Sequence, residues 1–252
     1  MVFQPVQGTI SAPVRRGGGA ILGYHLAHVR LFRGLDEAEI EDIARDCTLL
    51  TVPRGAEVDL GAEPTHSVAF VVSGTLVATI HTEASRSIQV RSAGGEVFGI
   101  QPMFAPPTVA TVLTAADPCT VILMRRAALL ALIARRPELG LRLLEVASAQ
   151  YHAAVEQLAE FGTLPVRERL IGELLRRCQP TSGGGGEIAT PITHSALAQA
   201  IGTNRETVSR ELSRLQASGL VARVRRGLHV RDLSALARLA AVVRRPAAGR
   251  AG

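Results

Sequence analysis

Residues Thr193 to Leu215 read THSALAQAIGTNRETVSRELSRL. Leu197 and Ala198 fall on a first helix, Gly202 follows four residues after Ala198, and Val208 comes six residues after Gly202. That is the arithmetic of two helices joined by a tight turn. A small residue lets the helices approach, a glycine supplies the turn, and Val208, Leu212 and Leu215 lock the second helix onto the first. The second helix then presents Arg205, Glu206, Ser209 and Arg210 on its outer, N-terminal side, the end that enters a major groove. Arginine can chelate guanine O6 and N7, and glutamate can accept from cytosine N4. Thr203 and Asn204 stand at the turn, within reach of phosphates. A following hairpin, Gly219–Val230, carries Arg223, Arg225 and Arg226 and reads as a wing that places guanidinium groups near the phosphate backbone. Each of these residues also has a plainer reading. Thr203 to Glu206 fits a helix capping box, and Arg210 fits a solvated surface charge.

Charge separates this third from the rest. All 28 basic residues are arginine, with no lysine anywhere in the chain. Residues 1–163 hold 13 Arg against 16 Asp and Glu, whereas residues 165–252 hold 15 against 6. A basic C-terminal third behind an acidic body points to a polyanionic partner. An arginine-rich genome explains Arg over Lys, but not the thinning of acids after residue 164.

Working toward the N-terminus, Leu164–Pro165 breaks a long helical run, and Val166–Cys178 forms the next helix. The run Glu138–Phe161 is about seven turns long. Leu144, Ala147, Tyr151, Ala154, Leu158 and Phe161 alternate three and four apart along it, the spacing of a two-helix seam. A helix packed on its own domain is the alternative. Arg125–Ala134 is a shorter helix. From Thr48 to Met124, brief apolar runs (Leu49–Val52, Val68–Val72, Leu76–Ile80, Ile88–Val90, Val109–Leu113, Val121–Met124) alternate with glycine turns, indicating a barrel or sandwich. His25–Ala44 reads as helical, with Asp36 as an N-cap. TSGGGG at 181–186 is a loop, and Glu187–Ile192 a short strand.

Gly202-Thr-Asn-Arg-Glu-Thr-Val-Ser-Arg210 closely resembles the recognition segment of the Crp/Fnr family of bacterial transcription regulators. Ser73-Gly74 and Gly95-Glu96-Val97-Phe98-Gly99 are similar to the glycine turns of that family's barrel, and the long helix to its dimerisation helix. The resemblance implies an α+β chain: an N-terminal β-roll or jelly-roll effector barrel, a long dimerisation helix and a C-terminal winged helix-turn-helix. The expected divisions are a disordered extension (1–24), the barrel (25–136), the dimerisation helix (137–164), the winged helix-turn-helix (165–240) and a flexible tail (241–252). It also implies a homodimer on a two-fold symmetric operator and RNA polymerase as a partner. Two recognition patterns of the family meet here. Arg205, Glu206 and Arg210 resemble the one whose half-sites read TGTGA; Glu206, Ser209 and Arg210 resemble the one that reads TTGA. Both share a TGA core.

The effector is less defined. Cyclic-nucleotide-binding members follow the Gly99-like glycine with a Glu for the ribose and later an Arg for the cyclic phosphate. Here the Glu position is Ile100, and no Arg occurs from Ser92 to Met124. A buried phosphate without a cation is costly, so cyclic AMP in that mode is not expected. Cys47, Cys119 and Cys178 have neither disulfide nor iron–sulfur spacing. Haem, held by His25 or His28 at the start of the barrel, is one option for sensing carbon monoxide or nitric oxide; His66 and His81 fall on or beside barrel strands. An apolar ligand against Ile100, Met103 and Phe104 is another, and no ligand a third. Ordinary core packing also explains those three residues.

Other function classes recede. No G-x-S-x-G, P-loop or H-E-x-x-H is present, so an enzyme is not expected. A ligand-binding interaction module without specific DNA binding is the remaining rival. No apolar run is long enough for a membrane span, and the N-terminus lacks a secretory h-region. A reduced, cytoplasmic protein is the expectation.

Overall fold

The computed structural model describes residues 19–61, 66–81, 87–90, 97–105, 109–188, 193–224 and 227–240. In β3 (Ser67–Ser73), Val68 and Phe70 face one way while Ala69 and Val71 face the other, the period of a strand. Both sides are covered. β3 pairs antiparallel with β8 (Cys119–Arg125), which pairs with β1 (Cys47–Val52), and β6 (Val97–Phe98) completes a four-stranded sheet in the order β1-β8-β3-β6. A second sheet runs β2 (Glu57–Val58), β7 (Thr111–Ala115), β4 (Leu76–His81), β5 (Ser87–Val90). Val52, Val58, Ala69, Leu76, Leu113 and Val121, drawn from both sheets, share one core. Val68, Phe70, Ile122 and Met124 leave the opposite face of the first sheet and pack with helices. Each such large side chain contributes about 1.5–3 kcal/mol through burial.

Those helices come from both ends of the barrel segment. α1 (Gly19–His28) supplies Leu22 and Leu26, a 3-10 turn (Arg30–Phe32) supplies Leu31 and Phe32, and α2 (Glu37–Ala44) supplies Ile40 and Ile43. α3 (Arg126–Arg135) adds Leu129 and Leu132, and the first turns of α4 (Pro137–Thr163) add Leu139 and Leu143. Asp36 caps α2 as expected. Its carboxylate accepts from the Glu39 N–H (2.8 Å), and the Glu39 carboxylate accepts from the Asp36 N–H (3.0 Å). The expected disordered extension through residue 24 needs correcting. Residues 19–24 belong to α1, where burial of Leu22 and Leu26 holds the helix in place. Residues 1–18 and the expected tail, 241–252, lie outside the described residues.

Two turns need glycine. At Gly74 (φ +80) a Cβ would lie 2.4 Å from the Pro118 carbonyl oxygen. At Gly99 (φ +86) it would lie 2.9 Å from that of Ser67. Both glycines belong to the turns singled out in the sequence.

The C-terminal unit has its own core. α5 (Val166–Arg177), α6 (His194–Ala200) and α7 (Arg205–Ala217) bury Leu170, Ile171, Leu174, Leu197, Val208, Leu212 and Leu215 together. A third antiparallel sheet, in the order β11-β12-β10-β9, closes it: β9 (Gln179–Pro180), β10 (Gly186–Ile188), β11 (Val221–Val224) and β12 (Gly227–Val230). α8 (Leu233–Arg238) follows. By internal contacts the chain divides inside α4. One compact unit runs to Ala154; the other starts at Val155 and takes in Ser87–Gln89. The sequence placed that division at Leu164–Pro165.

Candidate nucleic-acid interface

The two-helix segment forms as its spacing requires. The Thr193 side chain caps α6 by accepting from the Ala196 N–H (3.1 Å). α6 ends at Ala200, the Thr203 N–H donates back to the Ala198 carbonyl (2.9 Å), and Gly202 takes φ +63, a left-handed value that favours glycine. Asn204 then opens α7: its side-chain oxygen accepts from the Thr207 N–H at 2.8 Å. This differs from the capping box that the sequence offered. The cap is Asn204 rather than Thr203, so the position that would complete a box is Thr207. Glu206 therefore sits outside the cap. An Asn204 engaged in the cap is also less available to a phosphate.

α7 has two faces. Val208, Leu212 and Leu215 are fully or nearly fully buried, whereas Arg205, Glu206 and Arg210 are exposed and Ser209 is half-buried. The Arg210 guanidinium donates to the Thr207 hydroxyl (3.3 Å), which holds it along the helix surface. At the other end Arg214 pairs with the nearly buried Glu211 carboxylate (2.6 Å). On the hairpin, Arg223 is exposed and Val224 beside it stands 42% exposed. Arg225 and Arg226 lie outside the described residues. Thus Arg205, Arg210 and Arg223 all belong to the exposed surface of one compact unit, with α7 carrying its polar groups outward from its N-terminal turn.

The scaffold under this surface is tied by ion pairs. Glu173, on the buried side of α5, accepts from Arg176 (3.0 Å) and Arg177 (2.5 Å), and Arg176 reaches Glu160 at the end of α4 (3.2 Å). Arg169 lies over the Phe161 ring, its guanidinium carbon 5.3 Å from the ring centre. Burial holds the Arg169 guanidinium below its ordinary range, and Glu160 pulls it back up.

The six expected seam residues of α4 separate into groups. Leu144, Tyr151 and Leu158 are each more than 60% exposed, and Ala154 is exposed beside them. Ala147 instead packs against the core of its own unit. Phe161 is half-buried against Arg169 and the Gly202 turn. Sequence reasoning missed Leu141 and Val155, which are exposed too. With Ser148 they complete a single stripe: Leu141, Leu144, Ser148, Tyr151, Val155, Leu158, three and four apart. That spacing was available in the sequence.

The effector candidates do not converge. Ile100 and Met103 are buried in the core between the first sheet and the helices, while Phe104 is 67% exposed. Packing accounts for the first two. His25 and His28 both lie against the Tyr24 ring, and the His28 Nδ1–H donates to the Tyr24 carbonyl (2.7 Å). His66, buried, places Nε2 2.9 Å from the Gly99 carbonyl oxygen; His81 ends β4. Among the described residues no group of three or more His, Cys, Asp or Glu is placed to hold a metal ion. The three thiols are separate and all shifted up. Burial, with Asp46 beside it, pushes Cys47 to about 12. Burial also raises Cys119, more than the backbone hydrogen bond to Thr75 lowers it, and raises Cys178, helped by Glu187. None is an activated thiolate. Among the described residues no helix is long and apolar enough to cross a membrane.

This architecture has known counterparts. Residues 168–239 match the Crp-like helix-turn-helix domain. A CRP-like cAMP-activated global transcriptional regulator of Mycobacterium tuberculosis is 26% identical over 219 residues, covering 85% of this chain and 98% of that protein. The c-di-GMP responsive global regulator CLP of Xanthomonas campestris superposes with a TM-score of 0.66 at 19% identity, covering 77% of this chain and 99% of that one. FixK2 of Bradyrhizobium japonicum gives 0.64 at 23% identity, covering 77% and 98%. The exposed polar face of α7 thus belongs to a Crp-like helix-turn-helix domain, and the chain as a whole resembles these proteins in fold.

Proposed function

We propose that the protein acts as a homodimer on a palindromic operator whose half-sites contain TGA, reading bases with Arg205, Glu206, Ser209 and Arg210. The observation that carries this is the division of α7: an inner face locked into the core by Val208, Leu212 and Leu215, and an outer face whose first turns expose Arg205, Glu206 and Arg210. Arg210 is suited to the guanine of TGA and Glu206 to a cytosine on the opposite strand. Arg223, with Arg225 and Arg226, supplies phosphate contacts from the wing, and the Thr203 hydroxyl and Asn204 stand near the same backbone. The exposed stripe of α4 is the dimer seam, and two-fold symmetry of the protein matches that of the operator. RNA polymerase is the partner through which a bound dimer alters transcription. The functional divisions remain the barrel as sensor, α4 as dimer helix and the C-terminal unit as reading head.

The effector is not cyclic AMP held through a Glu and an Arg. Ile100, where the ribose-binding Glu would stand, is buried in the core, and no arginine lies between Ser92 and Met124. The test of the DNA reading is selection from a randomised duplex pool followed by titration of single-base variants. Arg210→Ala should cost about 1–3 kcal/mol on the selected duplex and relax the choice at one guanine. An equal loss on random duplex would remove Arg210 from base reading.

A further inference from the structure

The sequence assigned Phe161 to a dimer seam, but the structure turns it inward, against the reading head. Gly202 approaches the ring so closely that a Cβ there would lie 3.2 Å from two ring carbons, tighter than ordinary van der Waals contact. Over the same ring lies the Arg169 guanidinium. Among the described residues the Arg169 Nε is buried and has no hydrogen-bond partner. A buried guanidinium N–H without an acceptor is costly, and an aromatic face within about 6 Å is one of the few groups that offsets the loss. One turn back on α4, the buried Gln157 amide points at the Ala200 carbonyl (3.4 Å), the last residue of α6.

We propose that Phe161 and Arg169 are positioning residues for base reading: Arg169 clamps the Phe161 ring, and the ring seats the Gly202 turn that sets where α7 begins. The route is short. Gly202 is two residues before the Asn204 cap, and Arg205 and Glu206 follow directly. A turn that settles differently moves those two side chains together. Bidentate hydrogen bonds to base edges weaken steeply with misalignment, whereas attraction to phosphates tolerates it. Loss of the stack therefore degrades discrimination while leaving general affinity for DNA in place. A residue that merely filled space would, on removal, lower stability and weaken both kinds of binding together.

The proposal rests on α7 being the reading helix, and the full-length chain tests both. Wild type first selects its sequence from a randomised duplex pool. Arg169→Lys and Phe161→Leu are then titrated with the selected duplex and with a random duplex of equal length, at fixed salt, alongside urea unfolding. Arg169→Lys keeps the charge and removes the planar stack, so it stays informative if Phe161→Leu fails to fold. The expected result is a fall of about ten-fold or more in the ratio of selected to random affinity, with random-duplex affinity held. Phe161→Tyr, which keeps the ring, should retain the wild-type ratio. An unchanged ratio in Arg169→Lys, or matched losses on both duplexes, overturns the proposal. A wild-type protein that enriches no sequence overturns the reading of α7 and this proposal with it; enrichment that survives in the variants overturns this proposal alone.

Discussion

Gly55 and Gly74 have nearly the same backbone angle, φ +82 and +80, but different surroundings. A Cβ on Gly55 meets nothing within 4 Å, whereas on Gly74 it would meet the Pro118 carbonyl oxygen at 2.4 Å and Cys119 Cα at 2.8 Å. The first substitution costs only the left-handed strain of a non-glycine residue, about 1 kcal/mol. The second adds a collision with backbone that has no rotamer to change. Gly74→Ala should therefore lose at least about 2 kcal/mol more than Gly55→Ala in urea unfolding, an order-of-magnitude figure for an overpacked site. Equal losses would show that the Pro118–Cys119 strand end yields. At this scale the sequence was informative wherever chemistry is local: Asp36 as a cap, Gly202 as a turn, Val208 as a lock. It was uninformative about Thr203 against Asn204, because both are capping residues and only the backbone decides which stands at the helix boundary.

Helix α4 shows what a pattern along an element leaves open. Its length, its break at Leu164–Pro165 and its three-and-four spacing were all legible. Its inward face was not, because two apolar tracks run side by side, one through Leu139 and Leu143 and the other through Leu141 and Leu144. The first packs on the protein's own core, and the second is exposed. The dimer seam proposed for the second track separates two substitutions only three residues apart. Leu158→Glu places a charge in the seam and should give a monomer in sedimentation. Phe161→Leu should leave the dimer intact, since that side chain packs within its own unit. An intact dimer for Leu158→Glu would move the seam elsewhere. The strands β2, β6 and β9 escaped notice for a different reason: each has two residues, too few to show a period, and each exists because a neighbouring strand offers hydrogen bonds.

For the molecule as a whole, the sequence showed an acidic part and a basic part, and it pointed to the basic part as the one suited to a polyanion. It did not place the boundary at Ala154–Val155, because the contacts that bind the last turns of α4 to the reading head come from side chains far apart in sequence, such as Glu160 with Arg176. Binding by that basic part should weaken steeply with salt, log K falling linearly with log salt at a slope steeper than about −5 for a dimer with several phosphate contacts per head. A flat line would favour the rival reading, a protein-interaction module. The permanently charged basic side chains of that part are all guanidinium groups, since the chain has no lysine. A guanidinium keeps its proton beyond about pH 12. The grip on DNA should thus shed no positive charge across the alkaline range in which a lysine-based surface would fade. Nor does the chain offer an ε-amine to an acetyl donor, so lysine acylation is closed off chemically as a way of weakening that grip.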